Sequence, residues 1–149
     1  MTFKLTSELM SGFEEIDGQH RVLFQRLDGV LEAVKSDDLA ATKQMFQGLG
    51  DYLIAHFAAE ESFMAAASYP ERSRHKSAHD LFMQDFAQLA HELDATGLSV
   101  PVLQWITARV PEWIRFHIQV NDLPLGRFLA SRRFRPDVDS RRVDKQRTS

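Results

Sequence analysis

The sequence predicts an all-α fold: an antiparallel up-down-up-down four-helix bundle with an N-terminal arm and a disordered basic C-terminal tail. Three observations carry this expectation. Apolar residues recur at three- and four-residue steps through four separate stretches, the period of one buried helix face. No stretch alternates with the two-residue period of a strand. The breaks between stretches are short and hold residues that cap or end helices, so neighbouring helices must run antiparallel.

Residues 1–12 carry no strong period and read as an irregular arm closed by Gly12. From Phe13 the first helix shows Ile16, His20, Leu23, Leu27, Val30, Leu31 and Val34 on one face. Ser36-Asp37-Asp38 ends it and offers a cap for the next. The second helix runs from about Leu39 to Met64, with Met45, Phe46, Leu49, Leu53, His56, Phe57, Glu60 and Met64 inward. Gly48 and Gly50 weaken it by about 1 kcal/mol each relative to alanine. Tyr69-Pro70 breaks the pattern, and the proline suits the first turn of a third helix from about Glu71 to Leu93. That helix turns His75, His79, Phe82, Phe86 and Leu89 inward and closes at Thr96-Gly97. Pro101 opens the fourth, with Ile106, Val110, Trp113, Ile114, His117 and Val120 on its inner face. Pro111 should kink this helix or mark its true start, and Pro124 should stop it before a short apolar coda through Phe128 and Leu129.

The chain of 149 residues suits one domain, expected over 1–130, with the tail over 131–149. Net charge is −3, divided between −7 in the body and +4 in the tail. The body therefore advertises no nucleic acid. The tail lacks a period and reads either as an arm for a protein or anionic partner or as a solvated terminus. Absence of cysteine excludes thiolate ligands, disulfides and iron–sulfur clusters. The N-terminus has no secretory pattern, and no stretch approaches the roughly 20 apolar residues of a membrane span. A soluble, cytoplasmic protein is the default expectation.

The chemistry lies in the histidines. His56 and Glu60 stand four residues apart inside an apolar stripe, as do His75 and His79. Such pairs share one helix face, because four steps of about 100° return to within about 40° of the start. Either pair alone is weak evidence. More telling is that all four helices place a histidine within their apolar stripe: His20, His56, His75 with His79, and His117. Burying five imidazoles with the carboxylates of Glu60 and Asp122 is costly without partners, and a shared metal removes that cost. His117 and Asp122 are five apart, about 140° on an ideal helix, so a reaching carboxylate or a one-residue π-bulge must bring Asp122 back.

These residues resemble a known family, the hemerythrins, specifically the bacterial single-domain type. The resemblance covers about Gly12 to Leu129. It rests on Ile16-Asp17-Gly18-Gln19-His20, on His56-Phe57-Ala58-Ala59-Glu60-Glu61 with Met64 and Tyr69-Pro70, on His75-Lys76-Ser77-Ala78-His79, and on Trp113, His117-Ile118 and Asp122. Where the family usually carries an N-terminal tryptophan, this chain has Leu5. The resemblance implies two iron ions sharing Glu60, Asp122 and a solvent-derived oxo or hydroxo bridge. His75, His79 and His117 would complete one iron, and His20 and His56 would leave the other with one open position for dioxygen. It places Leu23, Phe57, Trp113 and Ile118 in the oxygen pocket; ordinary core packing would also account for these four.

The expected function is reversible dioxygen binding by a non-enzymatic carrier. A shell rich in neutral imidazole donates less charge to iron than the carboxylate-rich shells of diiron oxygenases. The alternatives are a diiron oxidase, peroxidase or iron-oxidising enzyme on the same scaffold, an oxygen sensor signalling through the tail, and a metal-free or zinc bundle. His91 reads as exposed near a helix end, Glu61 as solvated, Asp17 as a cap or outer partner of a ligand, and Trp105, Met45, Met64 and Met83 as core.

Overall fold

The computed structural model describes residues 6–139. Its first three rods are α1 (Glu14–Lys35), α2 (Leu39–Ala66) and α3 (Arg72–Thr96). The fourth, residues 100–131, is helical throughout but built of five pieces. They are α4 (Val100–Gln104), a π turn (Trp105–Arg109), α5 (Val110–His117), a second π turn (Ile118–Asp122) and α6 (Leu123–Ser131). There is no strand among the described residues, and no helix among them is long and apolar enough to cross a membrane. The expected four-helix bundle is the fold.

The caps follow the sequence. Asp38 accepts a hydrogen bond from the Ala41 N–H at 3.0 Å and opens α2. Ser99 does the same for Val102 and opens α4. Gly97 ends α3 with φ of 65°.

Pro101 opens the fourth rod as expected, but the two interior prolines do not end it. Pro124 does not stop it, since α6 continues to Ser131. Each interior proline instead follows a π turn. Val110 N–H bonds to Trp105 O just before Pro111, and Leu123 N–H bonds to Ile118 O just before Pro124. Both bonds span five residues instead of four. A proline ring collides with the carbonyl four residues back, and a widened turn relieves that collision while the helix continues.

The buried apolar residues form two clusters. The larger joins Leu23, Phe24, Leu27, Phe46, Leu53, Phe57, Phe82, Phe86, Leu89, Ile106, Ile114 and Ile118, among others. The smaller holds Phe13, Ile16, Phe63, Met64, Tyr69, Leu125, Leu129 and Phe134. Gly50 is part of the larger: a Cβ there would come within 2.7 Å of the Phe86 ring, so the glycine that weakens α2 makes room for an aromatic of α3. Met45 and Val120, expected inside, are 44% and 36% exposed. Trp105 is only half-buried.

The arm is ordered from Thr6 onward, with a 3-10 turn at Ser7–Leu9 and Leu9 buried. Asp17 holds it down: its carboxylate accepts from Ser11 N–H and Oγ–H, both at 2.9 Å, and from Gly12 N–H at 3.0 Å. Gly126 lets the arm lie against α6, because a Cβ there would overlap Ser11. Leu5, where the family resemblance is broken, lies outside the described residues. The boundary expected at 130 falls inside ordered chain. Phe134 is buried against Phe13 and Phe63, with centroids at 6.2 and 5.9 Å, and residues 136–139 form a further helical turn. The rest of the tail, 140–149, lies outside the described residues.

Candidate metal centre

Between the two apolar clusters lies a layer of seven polar side chains. His20 comes from α1, His56 and Glu60 from α2, His75 and His79 from α3, His117 from α5, and Asp122 from the second π turn. None is more than 6% exposed. That π turn is the remedy the five-residue spacing required: a turn that closes on its fifth residue sets Asp122 over His117.

The seven fall into two overlapping groups. Glu60, His75, His79, His117 and Asp122 offer ligand-type atoms all within 4.8 Å of one another; so do His20, His56, Glu60 and Asp122. The two carboxylates belong to both. Asp122 divides its oxygens between them. Oδ2 faces His20 Nε2 at 2.8 Å and His56 Nε2 at 3.5 Å, while Oδ1 faces His75 Nε2 and His117 Nε2, both at 3.1 Å. Glu60 Oε1 stands 3.3 Å from His56 Nε2, 3.5 Å from His75 Nε2 and 3.2 Å from His79 Nε2.

Hydrogen bonds join Asp122 Oδ2 to His20 and His56 and Glu60 Oε1 to His79, but they satisfy only part of the layer. His75 Nε2, His117 Nε2, Asp122 Oδ1 and Glu60 Oε2 are buried without a hydrogen-bond partner. They stand close to one another but are misdirected for hydrogen bonding. An unsatisfied buried polar group costs about 1–3 kcal/mol, and four in one place call for a common partner. The donor set, imidazole nitrogen with two carboxylates, suits a first-row metal such as iron.

The electrostatics point the same way. Burial first, then the Asp122 charge, pushes the Glu60 carboxyl well above its ordinary value. Burial acts upward on Asp122 too, but His117, His20 and His56 outweigh it and hold this carboxyl well below the usual range. Burial, with His75 and His117 beside it, lowers His79 to about 2, so its imidazole is neutral, the form that binds metal.

The outer nitrogens of three histidines are held. His56 Nδ1–H donates to Gln19 Oε1 at 2.6 Å, leaving its Nε2 lone pair for the centre. His79 Nδ1 meets Glu61 Oε2 at 3.3 Å. Glu61, expected to be solvated, is therefore an outer partner of a centre histidine, and Lys76 Nζ lies 3.4 Å from its other oxygen. The Asn121 amide lies 3.3 Å from His117 Nδ1. Gln19 and Asn121 were not singled out from the sequence. Each sits on the helix of a centre histidine or directly beside one, which is the only signal the sequence offers for them. Asp17 holds the arm and touches no centre histidine. His91 is exposed, as expected.

A cavity of about 10 Å³ adjoins the layer on the side of the larger core. That is about the space one water requires. Leu23, Leu53, Phe57, Phe82, Ile114 and Ile118 line it, together with His56, His117 and Asp122. Of the four residues expected around an oxygen pocket, Leu23, Phe57 and Ile118 line this cavity. Trp113 does not: it stacks on Phe82 and lines a separate outer groove. Trp113 lies four residues before His117 and turns toward α3, whereas Ile114, three before, faces the cavity. Leu53, Phe82 and Ile114 are additions to the expected set.

Known proteins match this arrangement. The sequence model described as "Hemerythrin HHE cation binding domain" matches residues 11–127. A bacteriohemerythrin of Stenotrophomonas maltophilia is 30% identical over 115 residues, 77% of this chain and 73% of that protein. A hemerythrin-like protein of Naegleria gruberi is 30% identical over 121 residues, 81% of this chain and 88% of its own. A crystal structure of a leucine-to-phenylalanine mutant superposes with a TM-score of 0.76 at 26% identity, covering 87% of this chain and 96% of the other. With a buried His/Glu/Asp layer able to hold metal and the family's sequence model matched across all four rods, the chain belongs to the hemerythrin family.

Proposed function

We propose that this protein binds dioxygen reversibly at a pair of iron ions and acts as a cytoplasmic carrier or store, not as an enzyme. One observation carries the reading: the two ligand groups share Glu60 and Asp122 but are unequal, three histidines against two. His75, His79 and His117 would hold one iron, His20 and His56 the other, and the carboxylates would bridge. The poorer group offers one donor fewer than the richer, so a metal held there would keep the more open shell. A ferrous pair would supply two electrons, and the more open side would leave a place for a diatomic ligand.

The chain's own residues do the rest. The cavity beside the layer is about the size of one small molecule and is walled by hydrocarbon and aromatic side chains. Apart from the centre's own His56, His117 and Asp122 it is lined by no titratable group, so no further acid stands beside the ligand. Gln19 and Glu61 fix the rings of His56 and His79 through their outer nitrogens. The family membership supports dioxygen as the ligand.

The test is spectroscopic. The protein is loaded anaerobically with Fe²⁺, assayed for iron, exposed to air and then purged. Two irons per chain and a visible charge-transfer band that comes with air and goes on purging are expected. Fewer than two irons, or a band that purging cannot remove, would sink the proposal.

A further inference from the structure

The first widened turn of the fourth rod, Trp105–Arg109, has no part in the metal layer. It borders a groove of about 440 Å³ between α3 and α5, lined by Phe86, Leu89, Trp105, Val110, Trp113 and Phe116. Arg109 folds over the Trp105 ring at 5.4 Å. Asp85 and Glu112 stand at the same groove, and neither has an ion-pair or hydrogen-bond partner among the described residues. A volume of this size lies within the roughly 300–1,000 Å³ of small-molecule sites.

We propose that the groove binds a planar two-electron reductant of the dihydroflavin or hydroquinone class and passes its electrons to the metal layer. This rests on the iron-based reading above. Four features argue for that occupant. Two tryptophans and Phe116, which is 62% exposed, offer ring faces for a flat molecule to stack on. The unpaired carboxylates of Asp85 and Glu112 accept from the ring N–H or O–H groups that a reduced ring carries and its oxidised form lacks. The metal layer itself gives a planar ring no direct access, since its residues are at most 6% exposed and the cavity beside it is about the size of one water. Finally, an unbroken set of ring contacts joins the groove to that layer. Trp113 stacks on Phe82, Phe82 meets Phe57 at 5.2 Å, and Phe57 stacks on His79 at 3.9 Å and 15°.

The balance is simple. The donor ring loses two electrons and two protons. The electrons convert two ferric ions to two ferrous ions, and the protons leave through Asp85 and Glu112 to solvent. The groove thus restores the form that takes up dioxygen after oxidation has trapped the other.

The experiment has two arms, both on the full chain. Dihydroriboflavin and a water-soluble hydroquinone are titrated anaerobically into the protein as isolated, prereduced wherever it holds iron, with tryptophan fluorescence as the readout. Saturable quenching by one of them is expected, weakened at least tenfold by Trp105→Ala and unaffected by Ile54→Ala on α2. Which probe saturates identifies the class. In the second arm the oxidised iron form is mixed anaerobically with dihydroriboflavin or the hydroquinone. The rate should saturate with donor and fall at least tenfold in Trp105→Ala and in Glu112→Gln, while reduction by dithionite is unchanged. Glu112→Gln is a surface change that keeps the test available should Trp105→Ala fold poorly. Absence of saturable binding by either probe, a rate linear in donor and indifferent to both variants, or a dimer that seals the groove in sedimentation would each overturn the proposal. Failure to take up two irons per chain counts against the reading under Proposed function alone, whereas two irons with a reduction rate indifferent to both variants counts against the electron-donor role alone.

Discussion

The two sides of the metal layer are built differently. On one side helices close around a water-sized cavity, and every wall residue belongs to a rod. On the other, non-helical pieces complete the seal. Phe13 from the arm, Tyr69 from the α2–α3 turn and Phe134 from beyond α6 pack over Ile16, Met64 and Leu125. On the function proposed above, the first side would receive the small ligand and the second would only shut water out. Apolar burial serves both, but only the first would be felt by bound oxygen.

The strongest challenge to this contrast removes what both sides share. Asp122→Ala takes a carboxylate from both ligand groups at once, so iron content should fall from two per chain to under one, measured by metal analysis after anaerobic loading. Next in size is Leu23→Glu on the cavity side. A proton donor against the ligand should accelerate autoxidation by roughly tenfold or more, since positioned acids contribute factors of this order and above; an unchanged decay of the oxygenated spectrum would show that the wall is mere packing. On the sealing side, Phe134→Ala should cost about 2–4 kcal/mol by loss of a buried ring, read as a lower Tm, with little change in the oxygen spectrum. An equal spectral change from Leu23→Glu and Phe134→Ala would erase the distinction between the sides. Gly126→Ala should be milder, about 1–3 kcal/mol, because Ser11 and the arm must shift away from the new Cβ.

The smallest effect is one of pH on the iron-free protein. His79 stays neutral when folded down to about pH 2 but charges near 6.5 when unfolded, so its contribution is full above 6.5 and declines as pH falls. Glu60, raised when folded, acts the opposite way: its contribution is present below 4.5 and is lost as pH rises. The two oppose each other between 4.5 and 6.5. Below 3.8 Asp122, held low when folded, adds its own loss to that of His79. Tm should therefore be nearly flat between pH 4.5 and 6.5 and drop steeply below about 4. A steep decline already at pH 6 would show that Glu60 is not the raised carboxyl.

Much of this was legible in the sequence, for identifiable reasons. Helical period alone located four rods, because each buries one continuous stripe. The spacing of five from His117 to Asp122 asked for either a reaching carboxylate or a π turn, and the structure supplies the turn. The cavity wall was only partly readable. Four of its six apolar residues obey a rule that emerges once direction is known: Leu23 and Phe82 lie three after His20 and His79, while Leu53 and Ile114 lie three before His56 and His117; Phe57 and Ile118 directly follow His56 and His117. In an antiparallel bundle these steps point to the same end. Trp113, chosen at four residues, missed the wall by that one step. Pro124 was misread because proline normally ends a helix, and the π turn ahead of it removes the clash. Phe134 was lost in a segment whose charge suggested solvent, since one aromatic among arginines has no period to reveal it. Glu61 and Gln19 act through ring nitrogens, and nothing in spacing along one helix reports which way a neighbouring ring is turned.

The two widened turns also determine which kinds of genetic change this fold tolerates. Each is one surplus residue accommodated without breaking the rod, and each residue of a helix carries the chain around by about 100°. Deleting a single residue from 118–121 would restore an ordinary α turn and still leave an aspartate four beyond His117. It would also swing Leu125, Gly126 and Leu129 away from the arm and the smaller core. The final rod is therefore more vulnerable to loss of a residue than to exchange of one, and its length is as much under constraint as its composition.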